Sequence, residues 1–114
     1  MKYMLMILDS KTAWAKATPA EQTRIVRAHG GFGKKLKAKR KQVEGWRLRP
    51  EDDASRVGLS KGKAFVTDGP FAETKEFLGG FYLIDCATRE EAVAWAKEIP
   101  ILEGDVVEVR PVWG

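Results

Sequence analysis

Two segments of this chain are apolar on both of their alternating faces. In residues 3–8, Tyr3, Leu5 and Ile7 form one set and Met4, Met6 and Leu8 the other; in residues 78–86, Leu78, Gly80, Tyr82, Ile84 and Cys86 alternate with Gly79, Phe81 and Leu83. Successive side chains of a strand point to opposite faces, so a strand with no polar set is one that is covered on both sides. These two segments belong at the centre of a sheet, and each face of that sheet needs a cover.

Two amphipathic helices supply one cover. Thr18-Pro19-Ala20-Glu21 combines an N-cap, a proline at the first helical position and a capping-box glutamate, and Ile25, His29, Phe32 and Leu36 then fall on one stripe with Val26 beside it. The only histidine of the chain therefore faces inward. Gly30, Gly31 and Gly33 interrupt the pattern; one continuous helix is expected, with a break at Gly30-Gly31 the alternative and close approach to the sheet the gain that small residues would bring. Thr88-Arg89-Glu90-Glu91 opens the second helix, carried on by Ala92, Val93, Trp95, Ala96 and Ile99 and stopped by Pro100. Residues 9–18 are expected to be a polar loop containing Trp14.

The remaining strands fall at residues 42–48 and 105–113, and residues 55–59 and 63–67 form a hairpin about Ser60-Lys61-Gly62. With the hairpin set aside as an insertion, the order is βαββαβ, a ferredoxin-like α+β fold with an antiparallel sheet and both helices on one face. Helices in one layer leave the other sheet face bare, and the simplest cover for it is a second copy, giving a homodimer packed through the sheet face. The length of 114 residues suits a single domain spanning 1–114.

The net charge of +4 at a pI near 9.3 is local: Lys34, Lys35, Lys37, Lys39, Arg40 and Lys41 carry six positive charges, and the rest of the chain is net negative. No aromatic interleaves with them, as a single-stranded nucleic-acid site would require, so a solvated helix end is expected and nucleic acid is not the expected partner. No membrane span of roughly 18 apolar residues occurs, the short apolar start lacks a cleavage site, and the single Cys86 cannot form an intrachain disulfide. A cytoplasmic protein is expected. One histidine and one cysteine do not make a side-chain metal site, and no phosphate loop or dinucleotide fingerprint is present, so neither metal nor cofactor is expected.

Asp68-Gly69-Pro70-Phe71-Ala72-Glu73-Thr74-Lys75-Glu76 joins the hairpin to the second central strand. Gly-Pro makes a stiff corner, and it carries a carboxylate, an aromatic and a charged cluster. Through this string, together with Ala28-His29-Gly30, Phe32-Gly33, Gly79-Gly80-Phe81-Tyr82-Leu83-Ile84 and Val107-Glu108-Val109-Arg110-Pro111-Val112-Trp113, the chain resembles the YCII-related family, and within it the DGPF-domain branch, over nearly its full length. The resemblance implies a dimeric α/β barrel. It also implies kinship with small-molecule enzymes that remove halide from hydroxylated aromatics through a histidine and an aspartate near a cleft, at His29 and Asp68 here. Members of the branch found beside or fused to extracytoplasmic-function sigma factors imply a link to transcription regulators.

For each candidate a plainer role stands beside the chemical one. His29 is a general base near neutral pH or a buried histidine satisfied by backbone; Asp68 is its carboxylate partner or a turn aspartate bonded to nearby N–H groups. Phe71, Glu73, Lys75 and Tyr82 line a small-molecule pocket, or are core aromatics and a solvated charge run. Two functions compete: a cofactor-free acid–base enzyme of the lyase or dehydrochlorinase kind, and a non-catalytic ligand-sensing module acting with a regulator.

Overall fold

A computed structural model of the chain describes residues 1–71 and 73–114; Ala72, within the corner motif, lies outside the described residues. The elements are β1 (Lys2–Ser10), α1 (Lys11–Lys16), α2 (Pro19–Ala38), β2 (Gln42–Arg47), a 3-10 turn at Glu51–Asp53, β3 (Ser55–Ser60), β4 (Lys63–Asp68), β5 (Glu76–Asp85), α3 (Arg89–Ala96) and β6 (Val106–Pro111). A four-stranded sheet has the order β2-β5-β1-β6, antiparallel throughout, and β3-β4 is a separate hairpin. The two doubly apolar segments are its central strands, β5 and β1, and the topology is the expected ferredoxin-like α+β arrangement.

The capping signals act as read. Thr18 Oγ1 accepts from the Glu21 N–H and Thr88 Oγ1 from the Glu91 N–H, each at 3.1 Å. The expected loop at 9–18 is different in the structure: Asp9 and Ser10 extend β1, and Ser10 Oγ then accepts from the Ala13 N–H at 3.2 Å to start α1. Ser10 is a third N-cap followed by a short run of helix formers, Lys11-Thr12-Ala13-Trp14-Ala15-Lys16. Helix α2 runs unbroken through its glycines, yet Gly30 and Gly31 face open space rather than the sheet.

Tyr3, Leu5 and Ile7 of β1, Ile84 of β5, Phe32 and Leu36 of α2, and Ala92 and Ile99 form the core. Leu5, Leu36 and Ile84 are fully buried, each worth about 1.5–3 kcal/mol of transfer free energy. On the opposite face Met4, Met6, Leu8, Phe81 and Leu83 remain partly exposed. The hairpin stands away from this body with Val57, Leu59 and Val66 at 72%, 75% and 66% exposure. The radius of gyration, 15.8 Å, accordingly exceeds the roughly 13 Å typical of a compact chain this long.

One break in register changes the faces of β5. Ile7 pairs with Gly80 but Leu8 pairs with Leu78, so Gly79 is the extra residue of a bulge. Leu78, expected on the core face with Tyr82 and Ile84, is turned to the open face beside Leu8, and Phe77 comes round to pair with Asp9.

Candidate functional site

Beyond the packed core, the helix-side face of the sheet opens into a cavity of about 460 Å³ walled by Ile7, Trp14, Ile25, Val26, Phe77 and Pro100. This is the size of a small-molecule site, with apolar walls and a few polar groups that converge. The polar groups are Asp9, His29, Arg47, Tyr82 and Asp105, with Lys11, Glu51 and Asp52 also in the lining.

Asp9 stands two residues beyond Ile7 in β1, on the same helix-side face, and the bulge in β5 sets Gly79 beneath it. Its carboxylate lies over Gly79 so closely that a Cβ at that position would stand 1.8 Å from Asp9 Oδ2. Among the described residues no hydrogen bond or ion pair reaches this carboxylate. Burial pushes its pKa from 3.8 up to about 6, the negative charge of Asp105 adds to the rise, and the Arg47 guanidinium opposes it. Asp105, by contrast, is fully engaged: it accepts from the Ser10 N–H at 2.9 Å and the Leu102 N–H at 3.0 Å, tying the start of β6 to the end of β1.

His29 sits half-buried on α2 with Nδ1 2.8 Å from Tyr82 Oη. Burial holds the imidazole below its usual range, Arg47 adds to this and the Pro100 carbonyl opposes it; burial likewise raises the Tyr82 phenol. At neutral pH both groups are uncharged, so the phenol O–H donates and Nδ1 accepts. The rings are near-parallel at 6.0 Å, and Phe32 packs its edge on Tyr82 at 5.0 Å, which keeps the pair in place.

Arg47, at the end of β2, pairs in register with Gly80 and so shares the helix-side face with Ile7. It has no ion-pair partner among the described residues. Lys11 does: its Nζ is 2.6 Å from Glu51 Oε1 and also donates to the Phe71 carbonyl.

The structure brings His29 and Tyr82 together and places the corner elsewhere. Asp68 ends β4 in an exposed position and accepts from Ser55 Oγ at 2.7 Å; the carboxylates that line the cavity with His29 are Asp9, Glu51, Asp52 and Asp105. Phe71 is buried at 5% exposure beneath the Arg56 guanidinium, which lies 3.6 Å from its ring centroid. Glu73 and Lys75 are exposed, though the Lys75 carbonyl accepts from the Lys11 N–H at 3.1 Å. The corner thus braces the cavity from behind. Gly69 N–H donates to the Ala54 carbonyl at 2.8 Å, a Cβ on Gly69 would lie 2.1 Å from the Glu51 carbonyl oxygen, and Phe71 and Lys75 hold Lys11, which in turn holds Glu51.

Asp9, Arg47 and Asp105 carried no motif. The one local signal for Asp9 is a carboxylate directly after an apolar strand, and its value depended on a bulge in a distant strand. Of the basic cluster, Lys35 pairs with Glu98 and Lys41 with Glu91, both carboxylates belonging to the α3 region. Cys86 is buried, and burial raises its thiol. No described helix is long and apolar enough to cross a membrane.

Fold and cavity together define a ferredoxin-like α+β domain with a partly charged, small-molecule-sized pocket between its helices and sheet. The model of the YCII-related domain matches residues 1–114, and the chain belongs to the YCII-related family. It is 39% identical over 114 residues to an uncharacterised protein of Rhizobium meliloti (strain 1021), covering 98% of this chain and 92% of that protein.

Proposed function

We propose that this protein is a cofactor-free acid–base enzyme acting on a small molecule held in the Asp9–His29 cavity. One observation carries the reading: Asp9 presents a partnerless carboxylate, with a pKa near neutrality, to the same apolar cavity as a neutral Tyr82–His29 pair. Asp105, in the same lining, is committed to two backbone N–H donors. A carboxylate left without them, at a pKa of about 6, is able both to take and to return a proton at physiological pH. In such a step the Asp9 carboxylate removes a proton from a substrate C–H or O–H, the electron pair stays on the substrate, and the Arg47 charge stabilises the anion formed. Tyr82 and His29 offer an uncharged donor–acceptor pair that orients the substrate.

The test is proton exchange in deuterated water, followed by NMR, across small enolisable keto acids and hydroxylated aromatics. The wild-type protein should catalyse exchange above the buffer rate with at least one of them, and Asp9→Asn should lower that rate about a hundredfold, as loss of a general base does. Absence of exchange throughout, with the Asp9 carboxyl titrating in its ordinary range, would sink the enzyme reading and leave a ligand-sensing module tied to a regulator, for which His29→Ala would leave ligand affinity intact.

We further propose that the working unit is a homodimer. The partly exposed Met4, Met6, Leu8, Phe81 and Leu83 and the apolar hairpin form a surface unusual for a free monomer, and a second copy is the self-complementary way to cover it. Sedimentation should give the mass of two chains at micromolar concentration, and Met6→Lys should return it to one. A monomeric wild-type protein would refute this.

A further inference from the structure

We propose that Arg47 is the anchor for an anionic group on the ligand, so that the substrate class is a small organic monoanion with an apolar or aromatic body, a carboxylate or phenolate carried on a ring or short chain. The proposal rests on the acid–base cavity described above and adds the identity of what it holds. Of the other charged groups lining the cavity, Lys11 is engaged with Glu51 and the Phe71 carbonyl and Asp105 with two backbone N–H groups, while Asp52 is an exposed carboxylate at the rim. Asp9 and Arg47 line the cavity with no partner among the described residues. They lie on the helix-side face of the sheet on either side of β5, Arg47 opposite Gly80 and Asp9 opposite Phe77 with its carboxylate over Gly79, yet do not approach within ion-pairing distance of one another.

Arg47 is exposed at the rim of this hollow and has no carboxylate partner among the described residues, and its fork of donors suits a planar oxyanion. Arg47 stands at the end of edge strand β2, immediately before Leu48, whose N–H is tied at 2.9 Å to the Gly79 carbonyl in the bulge, so its backbone is held on the same feature that positions Asp9. Gly80, its register partner, lets β2 lie close: a Cβ there would stand 2.8 Å from the Trp46 carbonyl oxygen and 3.3 Å from Arg47 Cα. An oxyanion on Arg47 directs the attached apolar body toward Ile7, Trp14 and Ile25, and brings the atoms next to the anionic group toward Asp9. The charge requirement and the reaction are then coupled, because an anion formed or enlarged by proton removal is stabilised by the same guanidinium.

Benzoate and its neutral isostere benzamide separate charge from shape. Chemical shifts of the Trp14 indole N–H and the His29 ring are to be followed while each is added to the wild-type protein, Arg47→Gln and Arg47→Lys. Wild type should prefer benzoate by about tenfold or more, as a charge-assisted bond provides; Arg47→Gln should bring the two probes within about twofold of each other without weakening benzamide, and Arg47→Lys should retain part of the preference. Equal affinity for the two probes in wild type, or a benzoate preference that survives Arg47→Gln, overturns the proposal, as does failure of benzoate to move either resonance at 50 mM, a concentration chosen as roughly the weakest binding a single charged contact would leave. The Asp9 carboxyl titration is independent of this. If it lies near 6 while the benzoate preference is missing, the anchor fails and the acid–base site stands; if it is ordinary while the preference holds, the reverse is true.

Discussion

Asp9 and Asp68 both stand at strand ends beside a glycine that nothing larger could replace without displacement, yet they meet opposite fates. Asp68 is exposed and bonded to Ser55 Oγ at 2.7 Å, next to Gly69, which is pressed against the backbone carbonyl of Glu51. Asp9 is part-buried without a donor, and it is Asp9's own side chain that fills the space over Gly79. A carboxylate acquires unusual proton affinity when water is removed and nothing replaces it, not when it sits in a conspicuous motif. The corner is a brace, and the proposed acid–base site lies on the strand that the brace supports.

The largest expected effect comes from the brace. Gly69→Ala forces a Cβ onto backbone, which cannot step aside, and should lower stability by about 3 kcal/mol in urea unfolding; a loss below half that would show the corner yielding, and would weaken its role as a support. Gly79→Ala meets only the tip of Asp9, so it should displace the carboxylate toward water and return its pKa toward the ordinary range with a smaller loss of stability.

Asp9→Asn comes next and has the opposite sign. Because the folded-state pKa is raised, the folded protein holds the Asp9 proton more tightly than the unfolded chain; the stability this brings is full below about 3.8 and is lost as pH rises through about 6. At pH 7 the ionised carboxylate is a liability, and Asp9→Asn should stabilise the protein by on the order of 1–2 kcal/mol after allowing for partial solvent contact, with the gain vanishing near pH 3.5. A stabilisation independent of pH would show that desolvated charge is not its cause.

Tyr82→Phe removes the donor to His29 Nδ1 and should lower stability by about 1 kcal/mol. It should also let the midpoint of the single histidine resonance rise toward its usual value, since a bond to the neutral imidazole is lost. An unmoved midpoint would mean that burial alone sets the histidine. The smallest effect is expected at Asp68→Asn, within about 0.5 kcal/mol and without consequence for ligand binding, as for other exposed sites. A loss of binding there would reverse the comparison.

Much of the fold was legible because its signals are local. Strand alternation in β1 and in β5 from Gly80 onward, and the caps at Thr18 and Thr88, each depend on a few adjacent residues and hold in the structure. His29 and Tyr82 were readable for the same reason, one by helical period and one by strand period. Ser10 was overlooked as a cap because its helix, Lys11–Lys16, is too short to show a period. Leu78 was assigned to the wrong face because strict alternation cannot count an extra residue, and Gly79 in the sequence looks like any strand glycine.

By itself, then, the sequence determined the elements other than α1, the apolar faces other than that of Leu78, the inward histidine and the family to which the chain belongs. Only the tertiary structure decided which carboxylates line that histidine's cavity and which of them bind backbone donors. Asp9, Arg47 and Asp105 come from widely separated parts of the chain, and what distinguishes them is the presence or absence of a partner across the sheet. Partnership is set by strand register and one bulge, which are long-range properties with no local pattern to announce them.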